Sequence, residues 1–219
     1  MKRVLICLTL LSIFPFLLGC PDTASHSRGV YLLMDTSGTY KNELNKARSI
    51  VYYLLSALEP GDSLGVARID TASFTEKNII KKVTFDGRPS VSNGQKRAFR
   101  EAIDRFISSV RGSSYTDITG GILQAVEYLK ETGAGNKYIF IFSDLQEDLA
   151  KGFIRDFEIE MDGFNVVALN VTKLRSDNMD PREYMKRLKS WKKRVEGGGG
   201  HWKVINDLER LDSMLTNET

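Results

Sequence analysis

Three short runs, Gly29–Met34 (GVYLLM), Lys137–Phe142 (KYIFIF) and Phe164–Asn170 (FNVVALN), are apolar at nearly every position. A strand with one wet face alternates polar and apolar residues, so runs like these need cover on both faces. The stretches between them supply it. Leu44, Ala47, Ile50, Val51, Leu54, Leu55 and Leu58 recur at helical spacing and predict a helix over Thr39–Leu58, stopped by Pro60-Gly61. Phe99, Ile103, Phe106 and Val110 mark a second helix over Gln95–Val110, and Ile118, Ile122, Ala125, Val126 and Leu129 a third over Asp117–Lys130. Ser63–Ile69 and Asn78–Phe85 are strands with little chain between them, which predicts an antiparallel pair at a sheet edge. Arg182–Val195 reads as a basic amphipathic helix, followed by a strand over Trp202–Ile205 and a closing helix over Asp207–Leu215. The pattern predicts one doubly wound α/β domain over residues 29–219, with a mostly parallel six-stranded sheet, one antiparallel edge strand and helices on both faces.

The first residues carry a different signal. Met1-Lys2-Arg3 is a positive start, and Val4–Gly19 is an apolar run broken only by Thr9, Ser12 and Pro15. As a helix it would be about 24 Å long, short of the roughly 30 Å hydrocarbon core of a bilayer, and so reads as a secretory signal over residues 1–19. Its end, Leu17-Leu18-Gly19-Cys20, resembles the bacterial lipoprotein box, which implies lipidation of Cys20 and a lipid-anchored protein of the cell envelope facing the periplasm or exterior. Residues 20–28 would then be a short linker to the membrane.

Composition removes several function classes. The only cysteines are Cys7 and Cys20, so the domain has no thiol for a disulfide, a zinc cluster or a nucleophile. The only histidines are His26 and His201, too few for the usual catalytic zinc site. Of 31 basic residues, Lys2 and Arg3 lie in the leader, which leaves 29 against 28 acidic ones and no compositional support for nucleic-acid binding.

One loop carries chemistry. After the first strand the chain reads Asp35-Thr36-Ser37-Gly38-Thr39, with a carboxylate and two hydroxyls at alternate positions. Such oxygens suit a hard divalent cation, although Asp-Thr-Ser-Gly is also an ordinary turn and helix-capping sequence. Two more elements join it: Ser113-Ser114-Tyr115-Thr116-Asp117 before the third helix, and Phe142-Ser143-Asp144 at the end of the next strand. At these three loops the sequence resembles the von Willebrand factor type A family, in order, spacing and strand context over residues 29 to about 216. The resemblance implies a metal-ion-dependent adhesion site built from Asp35, Ser37, Thr39, Thr116 and Asp144 around Mg²⁺, Mn²⁺ or Ca²⁺. It further implies a protein partner whose acidic residue completes the coordination, with the chain itself expected to be a monomer. The sequence departs from the family pattern in Thr39, where Ser is usual, and in Leu145-Gln146, where Gly commonly follows the third-loop Asp. If the strand order is 3-2-1-4-5-6, Asp35 and Asp144 flank the crevice at which open α/β sheets bind ligands.

Two other readings compete with a binding module. A Mg²⁺-dependent phosphoester hydrolase also places Asp at strand ends, but this chain has no phosphate-binding Gly-x-x-x-x-Gly-Lys loop and has Ser37 where an acid/base Asp would stand. A structural lipoprotein would keep the loops with a degenerate metal site. Lys186, Arg187, Lys189, Lys192, Lys193 and Arg194 make the Arg182–Val195 helix basic, either as a solvated outer face or as a surface for anionic headgroups.

Overall fold

The structure is a computed structural model that describes residues 26–38, 40, 43–206 and 211. The leader, Cys20, Thr39 and all of the expected closing helix except Leu211 lie outside the described residues. At the centre runs β1 (Arg28–Asp35), with β2 (Ser63–Ile69) parallel on one side and β4 (Asn136–Phe142) parallel on the other. β3 (Ile79–Thr84) closes one edge antiparallel to β2, and β5 (Phe164–Leu169) and β6 (His201–Ile205) extend the other edge in parallel. The sheet order is β3-β2-β1-β4-β5-β6. This is the expected doubly wound sheet with its one reversed edge strand.

Period-two alternation along the central strand divides its side chains between two cores. Val30, Leu32 and Met34 pack with α1 (Leu44–Ala57) and α2 (Pro89–Ser109), whereas Tyr31 and Leu33 pack with α3 (Ile118–Glu131) and with Trp191 and Val195 of α5 (Pro181–Gly197). Helices therefore cover both faces, as strands of this composition require. The strand is pinned at its start by Arg28, whose backbone and guanidinium bond the Asp62 carboxylate at 2.7 and 2.9 Å in the loop before β2.

Three elements differ from the sequence reading. The first helix begins at Leu44, five residues after the expected Thr39. The second helix starts at Pro89, six residues before the expected Gln95, because proline suits a first helical turn and needs no hydrogen-bond acceptor there. The apolar spacing begins only at Phe99, so the turns around Ser90–Gly94 carried no periodic signal. A five-residue helix, α4 (Arg175–Met179), precedes α5 and is too short to show a period.

β2 lies so close to its neighbours that one position admits no side chain. A Cβ at Gly65 would lie 2.5 Å from the ring of Tyr31 and 3.1 Å from that of Tyr128, and the two rings meet at 5.5 Å between centroids. Gly65→Ala should therefore cost about 1–3 kcal/mol of stability. Leu32→Ala, which opens a cavity on the other face, should cost about 2–5 kcal/mol. Urea unfolding of the two variants beside the parent chain checks both figures.

Candidate metal centre at the carboxyl edge of the sheet

The three sequence loops meet at the carboxyl ends of β1 and β4. Asp35 is the last residue of β1 and is fully buried. One carboxylate oxygen accepts the Ser37 amide at 2.8 Å, and the other accepts the Ser143 hydroxyl at 2.7 Å, so the ends of β1 and β4 are joined through this side chain. Thr36 fastens the loop to β2 by donating its hydroxyl to the Ile69 carbonyl at 2.8 Å. Tyr40 is buried edge-on against Phe142 and donates its hydroxyl to the Asn170 carbonyl beyond β5.

The second loop is held from both sides. The Ser113 amide donates to the Thr36 carbonyl at 2.8 Å, and its hydroxyl donates to Asp70 at 2.6 Å. Thr116 exchanges backbone hydrogen bonds with Asp148 at 2.7 and 3.0 Å. Asp117, fully buried, caps α3 by accepting the Gly120 amide at 2.8 Å and is gripped by Arg155 through two bonds of 2.9 Å. Its second oxygen also accepts the Ser73 amide.

The third loop hangs from α5. Arg187 donates to the Asp144 carbonyl at 2.9 Å while its other nitrogens grip Asp177 of α4, and the Trp191 indole donates to the Leu145 carbonyl at 2.9 Å. Leu145 takes φ of 65°, the left-handed region in which glycine is at ease. This is the physical sense of the departure from glycine at that position. The leucine side chain is buried in the α3-side core, and that burial offsets a backbone cost of order 1–3 kcal/mol.

Ser37, Thr116 and Asp144 line one cleft of about 450 Å³, with Ser113, Ser114 and Asp148 on its walls. Asp35 stands behind Ser37 and does not line the cleft itself. Thr39 lies outside the described residues. Burial pushes the Asp35 carboxyl above its ordinary range against the opposing bonds from Ser143 and Ser37. Burial likewise pushes Asp144 up, opposed by the Gln146 amide and reinforced by the charge of Asp35. Among the described residues no cationic side chain forms an ion pair with either carboxylate, and no group of three or more His, Cys, Asp or Glu gathers as a metal cluster. A cation in the cleft would meet the Asp144 carboxylate and the hydroxyls of Ser37 and Thr116, with the charge of Asp35 behind Ser37, a hard-oxygen set that fits Mg²⁺ or Mn²⁺.

Sequence reasoning missed the supports. By sequence Arg187 and Arg194 belong with the lysines of a basic helix, yet both turn inward, Arg194 bonding the Thr119 hydroxyl at 2.6 Å and the Arg155 carbonyl. Asp70, Asp177 and Ser143 gave no spacing signal, because Ser113, Arg187 and Asp35, to which they bond, lie elsewhere in the chain; the cap at Asp117 is local, but its grip by Arg155 is not. A faint cue existed in Leu174-x-x-Asp177, where Asp177 accepts the Leu174 amide at 2.8 Å as a helix-start contact.

The Arg187–Asp177 pair has side chains only 12% and 1% exposed. Removing one partner leaves a buried charge, so Arg187→Leu should destabilise the protein by about 3–5 kcal/mol. The bond from Arg187 holds the Asp177 carboxyl below its ordinary value of about 4. A carboxyl lowered on folding adds stability that is complete above that ordinary value and is lost as pH falls through the lower folded one. Stability measured by urea unfolding should thus fall below about pH 4 in the parent chain. In Asp177→Asn part of that acid dependence should disappear.

No protein-family model matches the chain, and no curated protein matches it in sequence. Solved structures do match. The pilus adhesin SpaC from Lactobacillus rhamnosus GG, in its open conformation, superposes with a TM-score of 0.53 at 13% identity, over 88% of this chain and 29% of that one. A von Willebrand factor type A protein from Catenulispora acidiphila superposes with a TM-score of 0.48 at 14% identity, over 87% of this chain and 41% of that one. An aerotolerance-related membrane protein from Bacteroides fragilis gives 0.45 at 14% identity, over 88% of this chain and 98% of that one. The chain spans less than half the length of the first two of these proteins. With a β3-β2-β1-β4-β5-β6 sheet, one reversed edge strand, and its three loops gathered at the carboxyl ends of β1 and β4, the chain has the fold of von Willebrand factor type A domains.

Proposed function

We propose that this protein binds another protein through a divalent metal ion held at the carboxyl edge of the sheet, as a lipid-anchored component of the bacterial cell envelope. The observation that carries the reading is the convergence of Ser37, Thr116 and Asp144 on one cleft, with the buried Asp35 carboxylate directly behind Ser37. Two carboxylates forced into low-dielectric surroundings, with Arg187 acting on Asp144 from a distance and neither carboxylate held in an ion pair among the described residues, favour a cation arriving from solvent. Bound there, Mg²⁺ or Mn²⁺ would supply an electrophilic centre for an anionic oxygen. The acidic side chain of a partner protein is such an oxygen. Asp35 orients Ser37, Ser143 fixes Asp35, and Arg187 sets the backbone of Asp144, so the protein's own part is to hold acceptors in place. Thr39 belongs to the proposed set by its position in the first loop.

Adhesive use of this fold is illustrated by SpaC, described as a pilus adhesin. Binding is favoured over catalysis by what surrounds the cleft. His201 begins β6 and His26 precedes β1, which puts both imidazoles toward the amino edge of the sheet, opposite the cleft. The cleft walls offer hydroxyls and carboxylates, and no imidazole lines them. Attachment through Cys20 is the part of the proposal that rests on the leader sequence alone.

Asp144 gives a two-sided test. In Asp144→Asn the amide oxygen can still accept the Gln146 amide, and the repulsion from Asp35 is gone. Without metal the variant should unfold at the same or a higher temperature than the parent. Added Mg²⁺ or Mn²⁺ should raise the parent's unfolding temperature and leave the variant unmoved, as expected for ligand binding to the native state alone. A parent chain indifferent to both ions would overturn the metal-dependent reading.

A further inference from the structure

Two of the three arginines of α5 turn inward; the third, Arg182, is exposed in the first turn and paired with Asp180. At 100° per residue, Arg187 and Arg194 fall together on one side of the helix, and Lys186, Lys189, Lys192 and Lys193 fall on the other. The two arginines are half-buried and serve the cleft loops. All four lysines are exposed, and they rim an apolar groove of about 690 Å³ floored by Met185, Leu188 and Trp202. Met185 is 62% exposed, although nothing polar in its side chain gains from water. Among the described residues the acidic charge set against this stripe is Glu196, 3.7 Å from Lys192. The groove shares no lining residue with the metal cleft.

We infer that this face is a docking surface for an anionic lipid bilayer, with the four lysines meeting headgroup phosphates and Met185, Leu188 and Trp202 seated toward the acyl boundary. The charge pattern selects this occupant. Lysine ammoniums on flexible stems suit a fluid sheet of phosphates, whereas a folded acidic partner is better gripped by the fork of arginine, and the groove is lined by four lysines and no arginine. A tryptophan beside apolar side chains and under a rim of lysines is the arrangement of an interfacial surface. The topology agrees: the chain enters β1 at Arg28 on the same sheet edge at which α5 ends at Gly197 and β6 begins at His201. The lysine-rimmed groove does not depend on a lipid at Cys20, and it leaves the metal cleft open while docked.

The test is co-sedimentation of the processed chain, from residue 20 on and with Cys20→Ser so that neither leader nor lipid anchors it, with vesicles of phosphatidylcholine alone and of phosphatidylcholine mixed with phosphatidylglycerol, at low and high salt. At low salt each lysine near an anionic surface contributes about a fivefold gain, so the anionic vesicles should capture the chain at least about tenfold more tightly than neutral ones. High salt should erase the difference. The K186Q/K189Q/K192Q/K193Q variant should bind both vesicles alike with its unfolding temperature unchanged, because all four side chains are exposed. Brominated phosphatidylglycerol should quench the parent's tryptophan emission, and Trp202→Phe should remove that quenching, since Trp191 is buried. Equal capture by both vesicles, salt-insensitive capture, unaltered capture of the lysine variant, or bound chain whose Trp202 is not quenched would each overturn the proposal. So would self-association of the parent chain that the lysine variant abolishes, which would give the groove to a second copy.

Discussion

A carboxylate without access to solvent ends the central strand, and the functional edge of this protein is arranged around it. Asp35 cannot be hydrated where it stands, so each of its oxygens must be met by the protein, and the two donors come from different strands: the Ser37 amide just beyond β1 and the Ser143 hydroxyl just beyond β4. The point at which the sheet changes winding direction is thereby closed by a hydrogen-bonded bridge. Ser37 faces the cleft because its amide is fixed from behind, and Asp144 follows Ser143 into the same cleft.

The same logic recurs outward. Asp117 is buried and is satisfied by Arg155, by Ser73 and by the first turn of α3, while Asp177 is buried and is satisfied by Arg187. Such pairs contribute little net stability, but loss of either partner is costly, so they hold loops in one conformation. α5 stands at the centre of these contacts. It reaches the third loop through Arg187 and Trp191, and the wall beside α3 through Arg194. Its outward lysines are left for another task.

The fold was legible in the sequence wherever burial dominates. Runs such as GVYLLM and KYIFIF admit only a covered parallel sheet, and strand, helix and edge pairing follow from them. The set Asp35, Ser37, Thr116 and Asp144 came from the family resemblance at three loops, and the structure brings those loops to one edge of the sheet. What stayed hidden depends on contacts far apart in the chain. Nothing local says that Arg187 turns inward while Lys186 and Lys189 turn out, since helical phase becomes meaningful only once a neighbour occupies one side. Leu145 is a further case: a left-handed leucine is locally unfavourable and is tolerated because the α3-side core accepts its side chain. The extra turns at the start of α2 had no apolar period, and proline at the helix start was the available cue.

The central claim is that the cleft is a seat for a divalent cation. Diffraction from crystals of the protein grown with Mn²⁺, recorded where manganese scatters anomalously, tests it most directly. The account predicts one anomalous peak in the cleft beside Ser37, Thr116 and Asp144, absent from crystals of Asp144→Asn. A peak elsewhere on the surface with none in the cleft, or an undiminished cleft peak in the variant, would contradict it.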